Sequence, residues 1–324
     1  MKFVGIDMSK GDFHASFDDS GRTEVFANAP DGYRALESRL VKNGFAKGGT
    51  TVGTEATGTY HLPLAAFLAR EGWRVVVINP LITSRLAKSK VRSAKTDRID
   101  AGIVRRAAAQ GDGYPFVETP ETMTMRSLSS QRAVLVAVRA GMRRRIEARA
   151  PRDRAAGIPA HGAYEAVVAS ISREITRIDG KLACMSMPEQ RLLRSIPGVG
   201  PASSAAIVAT VSDIRRFDHP KRLVAYLGLD CRVHESGSSV RGKGYLTKKG
   251  DGLLRHALFM AAFIAARRNP DLKAYYERKR AEGMHHTAIL CAVERKLVHI
   301  IWAVWTRGTP FVKREAPAST VAGA

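Results

Sequence analysis

Apolar positions recur every second residue in short runs at the start of this chain and at helical spacing over most of the remainder. Residues 2–8 and 13–17 are apolar or alternating runs joined by the polar link Ser9-Lys10-Gly11-Asp12, and Asp18-Asp19-Ser20-Gly21 is a turn signal before a third run at 23–27. The pattern predicts a meander of three strands. Helical spacing over 31–40 and 62–70 brackets a strand-like run at 51–54, and 73–78 is a nearly continuous apolar run of buried-strand character that Asn79-Pro80 ends. A helical pattern then resumes and continues, with breaks, through 95–109. Strands interleaved with helices make residues 1–115 an α/β domain.

Residues 116–190 read as helix alone. Leu128, Leu135, Val138, Met142 and Ile146 mark one face of a helix whose other faces carry arginines, Arg139 and Arg143 among them. After a Gly- and Pro-containing break at 151–162, a second helix carries apolar residues at steps of four and three, from Tyr164 through Ile175, Ile178 and Leu182 to Met185. This is a heptad seam, compatible with a hairpin inside one chain or a coiled coil between two. Residues 191–313 are mostly helical, interrupted by a Gly/Ser/basic stretch at 236–250 too polar for core, and 314–324 form a small, proline-bearing tail.

Charge decides the class of partner. Lys and Arg number 52 against 30 Asp and Glu, a formal net charge of +22. Such an excess attracts phosphates over about a Debye length, so nucleic acid is the expected partner. No apolar run of about 18 residues and no leader pattern is present, which argues against a membrane and for the cytoplasm. Cys184, Cys231 and Cys291 stand far apart, which supports neither a disulfide framework nor a zinc site, and they read as reduced core residues.

Against that cationic background four acids stand out. Asp7 closes the first strand in Val4-Gly5-Ile6-Asp7, the strand end at which α/β sheets present ligands. Glu55 follows the fourth strand in Thr54-Glu55-Ala56-Thr57-Gly58-Thr59-Tyr60, and Asp97 and Asp100 are three apart, hence on one face of a helix. Each alone has a plainer reading: a turn former at Asp7, a capping acid at Glu55, first-turn acids suited to the helix dipole at Asp97 and Asp100. Together they are hard oxygen donors with no Cys or His in the motifs, the chemistry Mg²⁺ prefers. If the four converge, they can bind two Mg²⁺ ions about 3.5–4 Å apart, stabilising both the attacking and the leaving oxygen of a phosphodiester displacement.

The order of elements, three strands with Asp7 on the first, Glu55 after the fourth and an acidic pair on a late helix, resembles the ribonuclease-H-like fold of the RuvC type. Gly5-Ile6-Asp7-Met8-Ser9-Lys10, Glu55-Ala56-Thr57-Gly58-Thr59-Tyr60 and Lys95-Thr96-Asp97-Arg98-Ile99-Asp100-Ala101 look like the signature blocks of the DEDD transposases, the insertion-sequence recombinases related to the Piv invertase. The likeness continues in Ile196-Pro197-Gly198-Val199-Gly200-Pro201, similar to a helix-hairpin-helix element, in Ala225-Tyr226-Leu227-Gly228-Leu229, and in His234-Glu235-Ser236-Gly237 through Leu254-Arg255. It therefore covers nearly the whole chain and implies an RNase-H-like first domain and a mostly helical C-terminal transposase domain.

The resemblance also implies a reaction. In that family the acidic tetrad works with a serine of the second domain, which attacks DNA and forms a transient phosphoserine link. A guide RNA encoded beside the element pairs with target and donor DNA. Carried onto this chain, Asp7, Glu55, Asp97 and Asp100 are metal ligands and Ser236 is the nucleophile, with Ser238 and Ser239 close enough to compete for the role. Metal coordination lowers a hydroxyl's pKa and so activates it. Arg241, Lys243, Lys248, Lys249 and Arg255 would hold phosphates beside it, and Gly198 and Gly200 would let backbone N–H groups approach another, although a tight interhelical turn explains those glycines equally well. His234 and His256 suit ordinary polar contacts better than proton shuttling. A homo-oligomer, dimer or tetramer, is expected. The rivals are a RuvC-like nuclease that activates water and a non-catalytic nucleic-acid-binding protein; an actin-like ATPase would need a second Asp-Gly-Gly phosphate motif, which this chain lacks.

Overall fold

The computed structural model describes residues 1–56, 58–88, 97–157, 162–185, 187–232, 235–236, 240–241, 245–246 and 251–312, with backbone alone at 97–100, 163, 231–232, 235–236, 240–241 and 245–246. The chain forms two compact units, Met1–Glu118 and Thr119–Ala324.

In the first unit β1 (Lys2–Met8), β2 (Asp12–Ser16) and β3 (Glu24–Ala27) are the antiparallel meander the alternation predicts. β4 (Thr50–Glu55) and β5 (Arg74–Ile78) add in parallel, and β6 (Tyr114–Pro115), too short to show a periodicity, closes the sheet antiparallel to β5. The strand order is β3-β2-β1-β4-β5-β6. Four helices complete the unit: α1 (Pro30–Lys42), α2 (Leu62–Arg70), α3 (Pro80–Lys88) and α4 (Asp97–Ala109).

Alternation along β1 assigns its two faces. Val4 and Ile6 are fully buried in one core with Leu36 and Leu40 of α1 and Leu64 and Leu68 of α2. Burying each such side chain contributes about 1.5–3 kcal/mol. The other face carries Phe3, Gly5 and Asp7, and Phe3 packs against the second core, which includes Ile78 and the α4 residues Val104 and Ala107. Glycine is required there: a Cβ on Gly5 would stand 2.2 Å from Ala101 O and from Arg105 N, and one on Gly53 of β4 would stand 2.9 Å from Ala108 Cβ. Small residues on the two central strands thus let α4 lie directly on the sheet.

The second unit begins with α5 (Pro120–Ala155), capped where Thr122 N–H donates to Thr119 Oγ1 and Thr119 N–H donates back to Thr122 Oγ1. α5 runs through Pro151 and ends four residues into the expected break, because only the carbonyl one turn back loses its partner at an exposed end. α6 (Gly162–Cys184) returns along it: Arg132 Nε donates to Asp179 Oδ1 at 2.5 Å and Arg139 Nη1 to Ser172 Oγ at 3.4 Å. The seam is therefore used within the chain, but only in part. Ile175, Ile178 and Leu182 are buried and Val168 and Ile171 half-buried, whereas Tyr164 at the far end is exposed.

α7 (Pro188–Leu193), α8 (Pro201–Val211) and α9 (Pro220–Tyr226) follow, and both α5 and α6 pack on α8. Next come two short ladders, β7 (Cys231–Arg232) with β10 (Tyr245–Leu246) and β8 (Glu235–Ser236) with β9 (Val240–Arg241), nested as in one hairpin. α10 (Gly252–Arg268), α11 (Pro270–Ala281) and α12 (His286–Arg307) close the unit around buried Leu258, Ala265, Leu290 and Leu297. Cys184, expected in a core, is exposed at the end of α6, and Cys291 is half-buried. Among the described residues no helix is long and apolar enough to cross a membrane.

Candidate active site and nucleic-acid interface

Backbone register brings Asp7 and Glu55 together. β1 and β4 are parallel and paired up to Ile6 with Thr54, so the next residues, Asp7 and Glu55, are neighbours about 4.8 Å apart on adjacent strands. Both are half-buried and on the face that α4 covers. Glu55 Oε2 accepts a 2.5 Å hydrogen bond from Thr83 Oγ1 of α3, a buried hydroxyl that fixes the carboxylate's orientation.

α4 begins at Asp97, and its Ala101–Arg105 turn rests on Gly5, two residues before Asp7 on the same face of β1. The backbone of Asp97 and Asp100 thus lies within about one helical turn of the part of α4 over this strand end. The side chains of both lie outside the described residues. Among the described residues no three His, Cys, Asp or Glu groups could hold a metal ion. Arg105, one turn beyond Ala101, pairs with Asp19, and burial holds its guanidinium below the ordinary arginine range.

His14 stands beside these acids although no sequence motif singles it out. It is paired with Asp7 across the antiparallel β1–β2 ladder, hence on the same face, and its buried Nδ1 has no hydrogen-bond partner among the described residues. The signal was available: a turn at 9–12 sets residues 7 and 14 opposite one another.

In the second unit Ser236 ends β8, opposite Val240, and Arg241 pairs with Glu235 along the same ladder. Ser238, Ser239, His234, Lys243, Lys248 and Lys249 lie outside the described residues. Arg255 is half-buried in the first turn of α10, which Asp251 caps by accepting from Leu253 and Leu254 N–H groups. The charge of Arg255 is felt by Glu294 of α12, a carboxyl 2 % exposed, and burial pushes that carboxyl up to about 7 despite the guanidinium. Glu294 was also missed, although it sits on the same apolar stripe as Leu290, Leu297 and Ile301, an anomaly visible in the helical period.

The two glycines of the helix-hairpin-helix-like turn have different causes. Gly198 has φ of +107°, and a Cβ there would stand 2.5 Å from Ala265 Cβ, so close packing on α10 demands glycine. Gly200 faces open space, and its N–H already donates to Ser203 Oγ at 2.9 Å. On α5, Arg143, Arg144 and Arg145 are exposed, while Arg139 is half-buried against Ser172.

Two family profiles match the chain: one described as DEDD transposase of the IS110 type over residues 4–149, and one described as Transposase IS116/IS110/IS902 family over 190–277. The pilin gene-inverting protein of Moraxella bovis is 28% identical over 321 residues, covering 96% of this chain and 98% of that protein. A 43.6 kDa protein of insertion element IS110 from Streptomyces coelicolor is 29% identical over 170 residues, 50% of this chain and 42% of that protein. The transposase of insertion sequence element IS1111A from Coxiella burnetii is 34% identical over 123 residues, 36% of this chain and 32% of that protein.

Proposed function

Because the chain belongs to the IS110/IS116 family of DEDD-type transposases, related to the pilin gene-inverting proteins, we propose that it cuts and rejoins DNA through a serine nucleophile at sites chosen by a guide RNA. The observation that carries the reading is the side-by-side placement of Asp7 and Glu55 at the end of β1 and β4, on the face that α4 covers. The strand order, three antiparallel strands followed by two parallel ones, supports an RNase-H-like unit of the RuvC type.

The donors fit a divalent cation. Two half-buried carboxylates, one oriented by Thr83, are hard oxygen ligands of the kind Mg²⁺ takes. Asp7, Glu55, Asp97 and Asp100 would hold Mg²⁺, two ions in the full site, which when bound supplies Lewis-acid charge at the scissile phosphate. Ser236 Oγ then forms a bond to phosphorus as the bond to one sugar oxygen breaks, that oxygen leaving with a proton. In the second step a sugar hydroxyl of another strand attacks the phosphoserine and releases the serine. Arg241, Lys243, Lys248, Lys249 and Arg255 hold the phosphates, and the exposed arginines of α5 suit backbone contact, leaving base choice to the RNA. The exposed apolar end of α6 supports assembly as a dimer or tetramer.

Denaturing a reaction of the RNA-bound enzyme with nicked donor DNA traps the covalent intermediate. Wild type and Ser238→Ala and Ser239→Ala variants are expected to yield a phosphoserine adduct, and Ser236→Ala and Asp97→Asn to lose it. Cleavage without any adduct in wild type would establish the water-using nuclease instead. Sequencing of the RNA that co-purifies tests guidance: a discrete species supports it, and random fragments refute it.

A further inference from the structure

The second unit holds a cleft of about 840 Å³ between α11 and α12, closed at one end by residues 309–312. That closing segment is pinned where Phe311 N–H donates to Ser195 Oγ at 2.8 Å. The lining is strongly cationic: among the described residues it includes Arg278, Arg295, Lys296 and Arg307 and one carboxylate, Asp271. Tyr275 lies in the wall with the Lys296 ammonium 4.5 Å and the Arg278 guanidinium 5.4 Å from its ring centre. Arg278 is also within 4.0 Å of Glu282, an exposed i,i+4 contact that offsets little of the field.

The positive potential has an internal witness. His299, which lines the cleft, is held below the ordinary histidine range first by burial and then by Arg295, His219, Lys296 and Lys221. A concave surface lined by an excess of one sign of charge attracts the opposite charge, so an anion is the ligand this cleft favours.

We propose that this cleft binds a single strand of the enzyme's DNA. An aromatic ring flanked by cations in a positively charged groove is the arrangement that takes successive bases and their phosphates. The cleft has the size of a built ligand site, roughly 300–1,000 Å³. A duplex, convex and stiff, suits a concavity of that volume poorly, whereas a segment of unpaired strand suits it. The identity of the strand rests on the transposase reading: strand exchange on DNA exposes unpaired segments.

Fluorescence anisotropy on full-length, nuclease-treated protein tests this with labelled oligothymidylate, its oligouridylate counterpart and a duplex of the same length. Lys296→Glu with Arg278→Glu is expected to weaken oligothymidylate binding about tenfold or more and to flatten its salt dependence by roughly 0.7 per lost phosphate contact. Tyr275→Ala is expected to weaken it about fivefold or more and Tyr275→Phe to restore it, because stacking needs the ring and not the hydroxyl. Unchanged affinity in variants that melt normally would overturn the proposal, as would an equal loss for the duplex or a selective loss for RNA. Phosphoserine trapping in the same variants reports on the catalytic reading separately, since none of these residues belongs to it.

Discussion

The carboxylate edge of the first unit and the cationic helices of the second are built on opposite principles. Asp7 and Glu55 are neighbours because two strands are hydrogen-bonded in register, and Thr83 fixes one of them further. Arg143, Arg144 and Arg145 share only a stretch of exposed helix and reach outward on flexible stems. Strand ends hold a few atoms in one geometry, which metal-assisted phosphoryl chemistry demands. Helical arginines supply many replaceable, salt-screened contacts, which is how proteins hold a polyanion. One change at the edge is therefore expected to abolish activity, and one change on a helix to be felt as a fraction.

The largest effect tests the edge. Asp7→Asn and Glu55→Gln keep the shape and remove the charge, so strand transfer is expected to fall by about 10²–10³-fold or more, the scale for losing a preorganised electrostatic group. Melting should stay close to wild type, since neither residue is in the Val4–Ile6 core face. Strand transfer within tenfold of wild type in both variants would break the comparison.

How legible all this was in the sequence follows the same division. The meander was readable because a period of two survives even in runs of four or five residues, β5 because its apolar run is nearly continuous, and Asp7 and Glu55 stood out as acids at strand ends. β6, two residues long, has no period to read. His14 was overlooked because its partner across the ladder, not its own neighbours, gives it meaning. The arginine face of α5 was visible, but the cleft between α11 and α12 was not: its lining is drawn from two helices and a terminal segment, brought together only by tertiary packing. The glycines at 198 and 200 looked alike in sequence, and only the position of α10 separates them.

The next largest effect concerns Glu294, the one carboxyl buried in the helical unit among its described residues. Glu294 has its pKa raised from 4.5 to about 7 by burial, so the folded state holds a proton that the unfolded state releases. Stability is then greatest below about pH 4.5, falls as pH rises toward 7 and levels off above, a span of about 3 kcal/mol for a shift of this size. Glu294→Gln is expected to remove that slope and to melt higher than wild type at pH 8, with the two proteins converging at pH 5. A pH-independent difference in melting between them would show that the carboxyl is ionised and paired instead.

Smaller again is the cost of filling the glycine positions. Gly198→Ala forces a Cβ against Ala265 at an unfavourable φ and should cost about 1–3 kcal/mol in chemical denaturation. Gly200→Ala, in open space, should be close to neutral in stability. If Gly200→Ala instead weakened DNA binding severalfold with unchanged melting, the turn would be a phosphate site as well as a packing device.

The smallest effect is a contrast between two arginines of one helix. Arg143 is exposed, so its alanine variant should lose one phosphate contact: duplex affinity drops a fewfold at low salt, and the slope of log affinity against log salt falls by about 0.9. Arg139 spends its guanidinium on Ser172 across the hairpin, so Arg139→Ala should leave that slope nearly intact and lower hairpin stability by about 1 kcal/mol or less. The two measurements separate binding from packing on neighbouring turns of α5. A full unit of slope lost on removing Arg139, with none lost on removing Arg143, would mean that nucleic acid approaches α5 from the side that faces α6, and the hairpin would then have to open to admit it.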